Sequence, residues 1–413
     1  MVSFERYKLK NGLTVLLHQD KTTPMVVVNT LYDVGARDEN ENKTGFAHLF
    51  EHLMFGGSIH IQEFDKALQK AGGESNAFTS NDITNYYDIV PAQNIETALW
   101  LESDRMLSLA FTDKSLEVQR NVVIEEFKQR YLNQPYGDVW LELRPLAYEK
   151  HPYKWATIGK DISHIENATM EDVKAFFNKY YCPANAILCI SGNIDDSTIR
   201  ENIEKYFGSI QGGSKPLRKT PKEPKQESFK IKIIERDVPA NAFYYAFKMC
   251  SRKSTGYYLG DMMSDAIGKD SSSILNITLK KELELVTEIN AFITGSLDDG
   301  LFIISGKLAE GIDFEELDEQ LWLKLEEVKN NGVSATKLEA LKNKISTAKA
   351  FQEQGLLNRS INLSFFELLG DANAINEEGL IYQKISHSDL VLFANELFSK
   401  NNCSLLKVSK NAG

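Results

Sequence analysis

Cysteine is scarce in this chain. Cys182, Cys189, Cys250 and Cys403 are its only four, and no two form a Cys-x-x-Cys pair. That argues against a disulfide scaffold and a thiolate metal knuckle, and the four read as buried thiols of a reducing compartment. No apolar run is long enough to span a bilayer, and no basic-then-apolar leader opens the sequence. The expected location is therefore cytoplasmic, or periplasmic if a leader has been removed. An excess of positive charge is missing too. The net charge of −11 makes nucleic acid a poor partner and suits a cationic peptide. No proline follows Pro239, and of seven histidines only His387 lies in the second half. Chemistry that needs several imidazoles is thus confined to the first half.

What is present is the composition of an ordinary globular protein, 42% hydrophobic and 25% charged over 413 residues. That length exceeds one compact core, so two domains are expected. The stretch Gln211 to Ser228 holds Pro216, Pro221, Pro224 and many charges, and reads as a linker. It separates a first domain, 1–210, from a second, 229–413. A shift of 217 residues aligns Asp172 with Asp389, Phe176 with Phe393, Asn185 with Asn402 and Leu188 with Leu405. The halves therefore look like a diverged duplication. Both mix strands and helices in an α+β order. Strands are predicted at 25–32, 83–90, 229–249 and 301–308. Helices are predicted at 61–70, 95–110, 114–131, 197–207, 314–329 and 335–351.

The densest chemistry lies in Gly45-Phe46-Ala47-His48-Leu49-Phe50-Glu51-His52-Leu53. His48 and His52 are one helical turn apart, so both rings can reach one metal ion. Glu51 stays near that face, placed to act on a water rather than to ligate. Asn42 or Thr44 is expected to cap this helix and Gly56-Gly57 to end it. Phe46, Leu49, Phe50, Leu53 and Met54 give it an apolar side. His-x-x-Glu-His is the inverted order of the common zinc-protease helix. A catalytic zinc needs a third protein ligand.

With Gln119-Arg120-Asn121-Val122-Val123-Ile124-Glu125-Glu126, the chain resembles the pitrilysin/insulinase-like zinc metallopeptidases, in the short branch that includes mitochondrial processing peptidase subunits. The resemblance covers nearly the whole chain. It implies two homologous α+β domains forming half of a clamshell chamber, and one Zn2+ per chain. By this likeness Glu126 is the third ligand, 126 − 52 = 74 residues after the second histidine. Glu125 is the rival, pointing about 100° away around the helix. Gln119 stands where the family has a glutamate; it can hydrogen-bond a ligand but carries no charge. Asn76 and Ala77 match the family's substrate strand, where an edge strand pairs with an extended peptide. His151 reads as structural, and His60 and His164 as solvated.

The second half departs from the family pattern. Ile274 stands where an Arg, and Thr287 near where a Tyr, would bind substrate. The implied function is a zinc endopeptidase for unstructured peptides with Glu51 as general base. It would be the catalytic subunit of a heterodimer whose zinc-free partner brings the Arg and Tyr; a homodimer is the other arrangement. The rival readings are a catalytically silent scaffold subunit and a peptide-binding module of the same fold.

Overall fold

The structure, a computed structural model, describes residues 1–411. Its eleven strands make two sheets. The first runs β1 (Glu5–Lys8), β2 (Thr14–Gln19), β6 (Ala186–Gly192), β3 (Met25–Tyr32), β5 (Thr84–Pro91), β4 (Glu74–Thr79). The second runs β7 (Lys230–Arg236), β11 (Cys403–Lys410), β8 (Ala242–Met249), β10 (Gly300–Leu308), β9 (Val286–Ile293).

The duplication is written into the pairing. In each sheet one parallel pair, β2/β6 or β7/β11, is followed by three antiparallel pairs in the same order. β6 and β11 begin at Ala186 and Cys403, the 217-residue shift read from the sequence. The helix before each strand opens with a reciprocal cap, Thr169 with Asp172 and Ser386 with Asp389. The Asn185 amide donates to the Tyr180 and Asp33 carbonyls at 2.9 and 3.1 Å. Asn402 repeats this on Leu397 and Lys248 at 3.0 and 2.9 Å.

The compact units cut the chain differently from the expected 1–210 and 229–413. One comprises Met1–Lys128, Trp155–Thr220 and Ala350–Glu377, and the remainder forms the other. The reason is that the central strands are buried on both faces; β3 is buried at seven consecutive positions, Val26 to Tyr32. Each sheet therefore needs cover on two sides. In the first unit, the Ile95–Leu107 helix covers one face, where Glu102 accepts the Thr30 hydroxyl. The Leu356–Leu369 helix covers the other, with Leu363 and Phe366 against Leu31 and Ile187. In the second unit, the Val139–Ala147 helix closes one face through Val139 and Leu143, over Ala246 and Leu406. Two covering helices thus come from chain stretches outside the contiguous halves.

The predicted elements fall close to those observed. The 229–249 stretch divides into β7 and β8, and the 61–70 helix shortens to Phe64–Lys70. The four cysteines are free, three of them buried. No helix among the described residues is long and apolar enough to cross a membrane.

Candidate metal centre

The metal-motif helix spans Phe46–Leu53 and buries Phe46, Ala47, Leu49, Phe50 and Leu53. Phe50 stacks on Phe176 and Tyr181, with centroids 5.0 and 5.1 Å apart. Locking this apolar side leaves His48, Glu51 and His52 half-buried on the opposite side. The start of the helix corrects the sequence reading. Its cap residue is Gly45 at φ 87°, where a Cβ would stand 2.6 Å from the Ile158 carbonyl oxygen, so only glycine fits. Neither Asn42 nor Thr44 caps it. Glu39 does: its carboxyl oxygens accept the Gly45 and Ala47 N–H groups at 2.9 and 2.8 Å. The Thr44 hydroxyl instead meets His164 Nδ1 at 2.8 Å and accepts the Lys160 N–H at 2.9 Å. The helix ends before Gly56-Gly57 as expected, and Gly57 turns the chain at φ 101°.

Glu126 comes from the Asp113–Phe127 helix, capped by the Thr112 side chain. Val123, Ile124 and Phe127 bury that helix, and Glu126 remains half-buried beside the motif. Its Oε2 lies 3.6 Å from His48 Nε2 and 3.3 Å from His52 Nε2. The three ligand atoms all fall within 4.8 Å of one another. Donors about 2.0–2.1 Å from a tetrahedral zinc stand roughly 3.3–3.4 Å apart, so the spacing suits that ion. Two imidazole nitrogens and one carboxylate oxygen are also the right donor types, with one position left for water. Glu125 is exposed and paired with Lys128 at 2.7 Å, away from this cluster.

The Gln119 amide nitrogen lies 3.8 Å from where a Cβ of Gly56 would be, beside the end of the motif helix. Seven residues keep it on Glu126's face but displace it about 10 Å along the axis. His151 is structural, as read. Its Nδ1 accepts the Tyr153 N–H and its Nε2 faces Asp298 at 3.2 Å. His60 is exposed, as read, with its Nδ1 2.6 Å from Asp104. His164 departs from the solvated reading: it is half-buried against Thr44, and burial lowers its pKa.

Asn76 and Ala77 lie on β4, the outer strand of the first sheet, hydrogen-bonded only to β5. The Asn76 side-chain oxygen accepts the Ala77 N–H at 2.8 Å. In the second unit, Ile274 packs partly buried against the core and Thr287 is exposed on β9. Sequence reasoning missed Glu39, which lies six residues before Gly45 and outside the local capping positions. It also missed Tyr86, which supports the motif helix from below.

The family model described as Insulinase (Peptidase family M16) matches residues 14–158, and that described as Peptidase M16 inactive domain matches residues 167–345. The zinc protease PqqE of Helicobacter pylori is 30% identical over 402 residues, 95% of this chain and 90% of that protein. The mitochondrial-processing peptidase subunit beta of Saccharomyces cerevisiae is 26% identical over 314 residues, 71% of this chain and 66% of that protein. The crystal structure of a protease from Helicobacter pylori superposes with a TM-score of 0.92 at 28% identity, covering 99% of this chain and all of that one. Pitrilysin, at 17% identity and a TM-score of 0.76, shares the fold across 99% of this chain and 45% of its own. With its inverted motif in the matched first half and no second histidine cluster in the other, the chain belongs to the insulinase (M16) peptidase family.

Proposed function

We propose that this chain is a zinc-dependent endopeptidase acting on unstructured peptides. The observation that carries this reading is the convergence of His48, His52 and Glu126, with Glu51 in the same helix as the histidines. Those three residues would hold one zinc ion. When bound, zinc supplies a Lewis acid that acidifies water and polarises a carbonyl. The Glu51 carboxylate takes one proton from the attacking water as the C–O bond forms. It then returns that proton to the amide nitrogen as the C–N bond breaks, leaving an amine and a carboxylic acid, whose remaining proton passes to the amine to give carboxylate and ammonium.

β4 presents the edge on which an extended peptide can add as a further strand. A peptide carbonyl that takes the Ala77 N–H displaces the Asn76 oxygen, and the Asn76 amide becomes available to the same peptide. In this reading Gln119 lies near the end of the motif helix, where its uncharged amide can serve a metal ligand as a hydrogen-bond partner. The absence of an Arg at position 274 and a Tyr at 287 favours a heterodimer, in which a related subunit supplies those contacts. Metal analysis together with a quenched fluorogenic peptide tests the reading. One zinc per chain and cleavage abolished by Glu51→Gln are expected; a metal-free chain without cleavage, alone or with its partner, would overturn it.

A further inference from the structure

Tyr86 faces two ways. Its backbone, on β5, lies opposite Ala77 in the β4/β5 pair. Its side chain points to the motif helix, where its hydroxyl donates to the Phe50 carbonyl at 3.2 Å. Phe50 sits between His48 and His52 and directly precedes Glu51. The same carbonyl already accepts the Met54 N–H at 3.0 Å, so the helix does not need the phenol to complete its own ladder. One residue thus connects the edge strand to the centre of the metal motif.

The connection is stiff. Tyr86 is fully buried, and burial keeps its phenol protonated as a donor. The Arg105 guanidinium carbon lies 4.6 Å from the Tyr86 ring centroid and 4.5 Å from that of Phe64. Arg105 is 1% exposed and paired with buried Glu102. Tyr32 meets the Tyr86 ring edge-on at 5.9 Å. The Tyr181 hydroxyl is 3.4 Å from that of Tyr86.

We propose that Tyr86 is a positioning residue for peptide cleavage, setting the height of the motif helix above the peptide-accepting edge. The inference rests on the peptidase reading above. A peptide laid on β4 takes its place from β5 through main-chain pairing, whereas Glu51 takes its place from the helix. The reacting atoms must approach within about 3–3.5 Å, and small misplacements cost large factors in rate. The Tyr86 hydroxyl is a direct side-chain tie between those two frames.

The test uses the full chain with zinc, and with its partner if cleavage requires one. Tyr86→Phe removes the tie and keeps the ring. Tyr181→Phe is the control, removing a neighbouring hydroxyl from the same ring cluster. Tyr86→Phe is expected to lower kcat about tenfold with KM and zinc content nearly unchanged, a loss confined to the reacting geometry. Tyr181→Phe is expected to retain kcat. Amide exchange gives a readout independent of activity: Tyr86→Phe should speed exchange in residues 46–54 and leave the remaining strands of the first sheet unaffected. Equal kcat in the two variants, or exchange that rises evenly across the unit, overturns the proposal. If the wild-type chain cleaves no peptide, the peptidase reading fails. The exchange comparison then decides the tie alone: selective loosening of 46–54 supports it, and unchanged exchange there refutes it.

Discussion

His52 Nε2 and Glu126 Oε2 stand 3.3 Å apart although the chain between their helices runs through two strands and two further α-helices. Without a cation between them, a carboxylate and an imidazole at this distance form no more than a simple polar pair. With His48 at 3.6 Å from the same oxygen, they become a three-donor site. The two adjacent acids make the assignment testable. Glu126→Ala should weaken zinc affinity by at least about 100-fold in a chelator competition, on the scale of losing one of three ligands. Glu125→Ala removes only a surface pair with Lys128 and should leave the affinity unchanged. Equal effects of the two substitutions would remove Glu126 from the site.

On the proposed peptidase reading, Glu51 carries protons without serving as a ligand. Glu51→Gln keeps the shape of the side chain and deletes its basicity. The expected outcome is a fall in kcat of about 10³-fold or more, within the range for loss of a general base in a preorganised site. Zinc content should stay at one per chain. Near-wild-type turnover would require another base.

The motif helix was legible because its spacing is local: i and i+4 put two imidazoles on one face whatever the rest of the fold does. Glu126 was legible only through resemblance, since no periodicity links residues 52 and 126. The exchanged helices were not read at all. Their cue was present in Met25–Tyr32, a strand with apolar residues on both faces that must be covered on both, but nothing local says which distant helix provides the cover. Glu39 was missed for a related reason, because it caps the helix from across a loop.

That cap has a measurable consequence. Glu39→Ala leaves two buried helix N–H groups without their acceptor, at a cost of about 2 kcal/mol or more of stability. Asn42 is exposed, and Asn42→Ala should change stability by less than about 0.5 kcal/mol. Urea midpoints of the two variants check this. A larger loss for Asn42→Ala would restore the cap expected from sequence.

The proline-rich stretch 211–228 is tethered within the second unit at Glu223. One of its carboxylate oxygens takes the Lys248 ammonium at 2.6 Å, and the N–H groups of Glu149, Lys150 and His151 arrive at 2.9 Å each. Burial alone would raise the carboxyl's pKa. The Lys248 contact and the three N–H donors outweigh it and hold the group down at about 2, below its ordinary 4.5. Because the folded value is the depressed one, the stabilisation is complete above about pH 4.5 and is lost as pH falls towards 2. Glu223→Gln should therefore be less stable than wild type at pH 7, and the gap should narrow by pH 3 as the wild-type carboxylate gains its proton more readily on unfolding. Denaturant midpoints at the two pH values measure the gap, and one that stays constant would mean that the segment is a loose spacer after all.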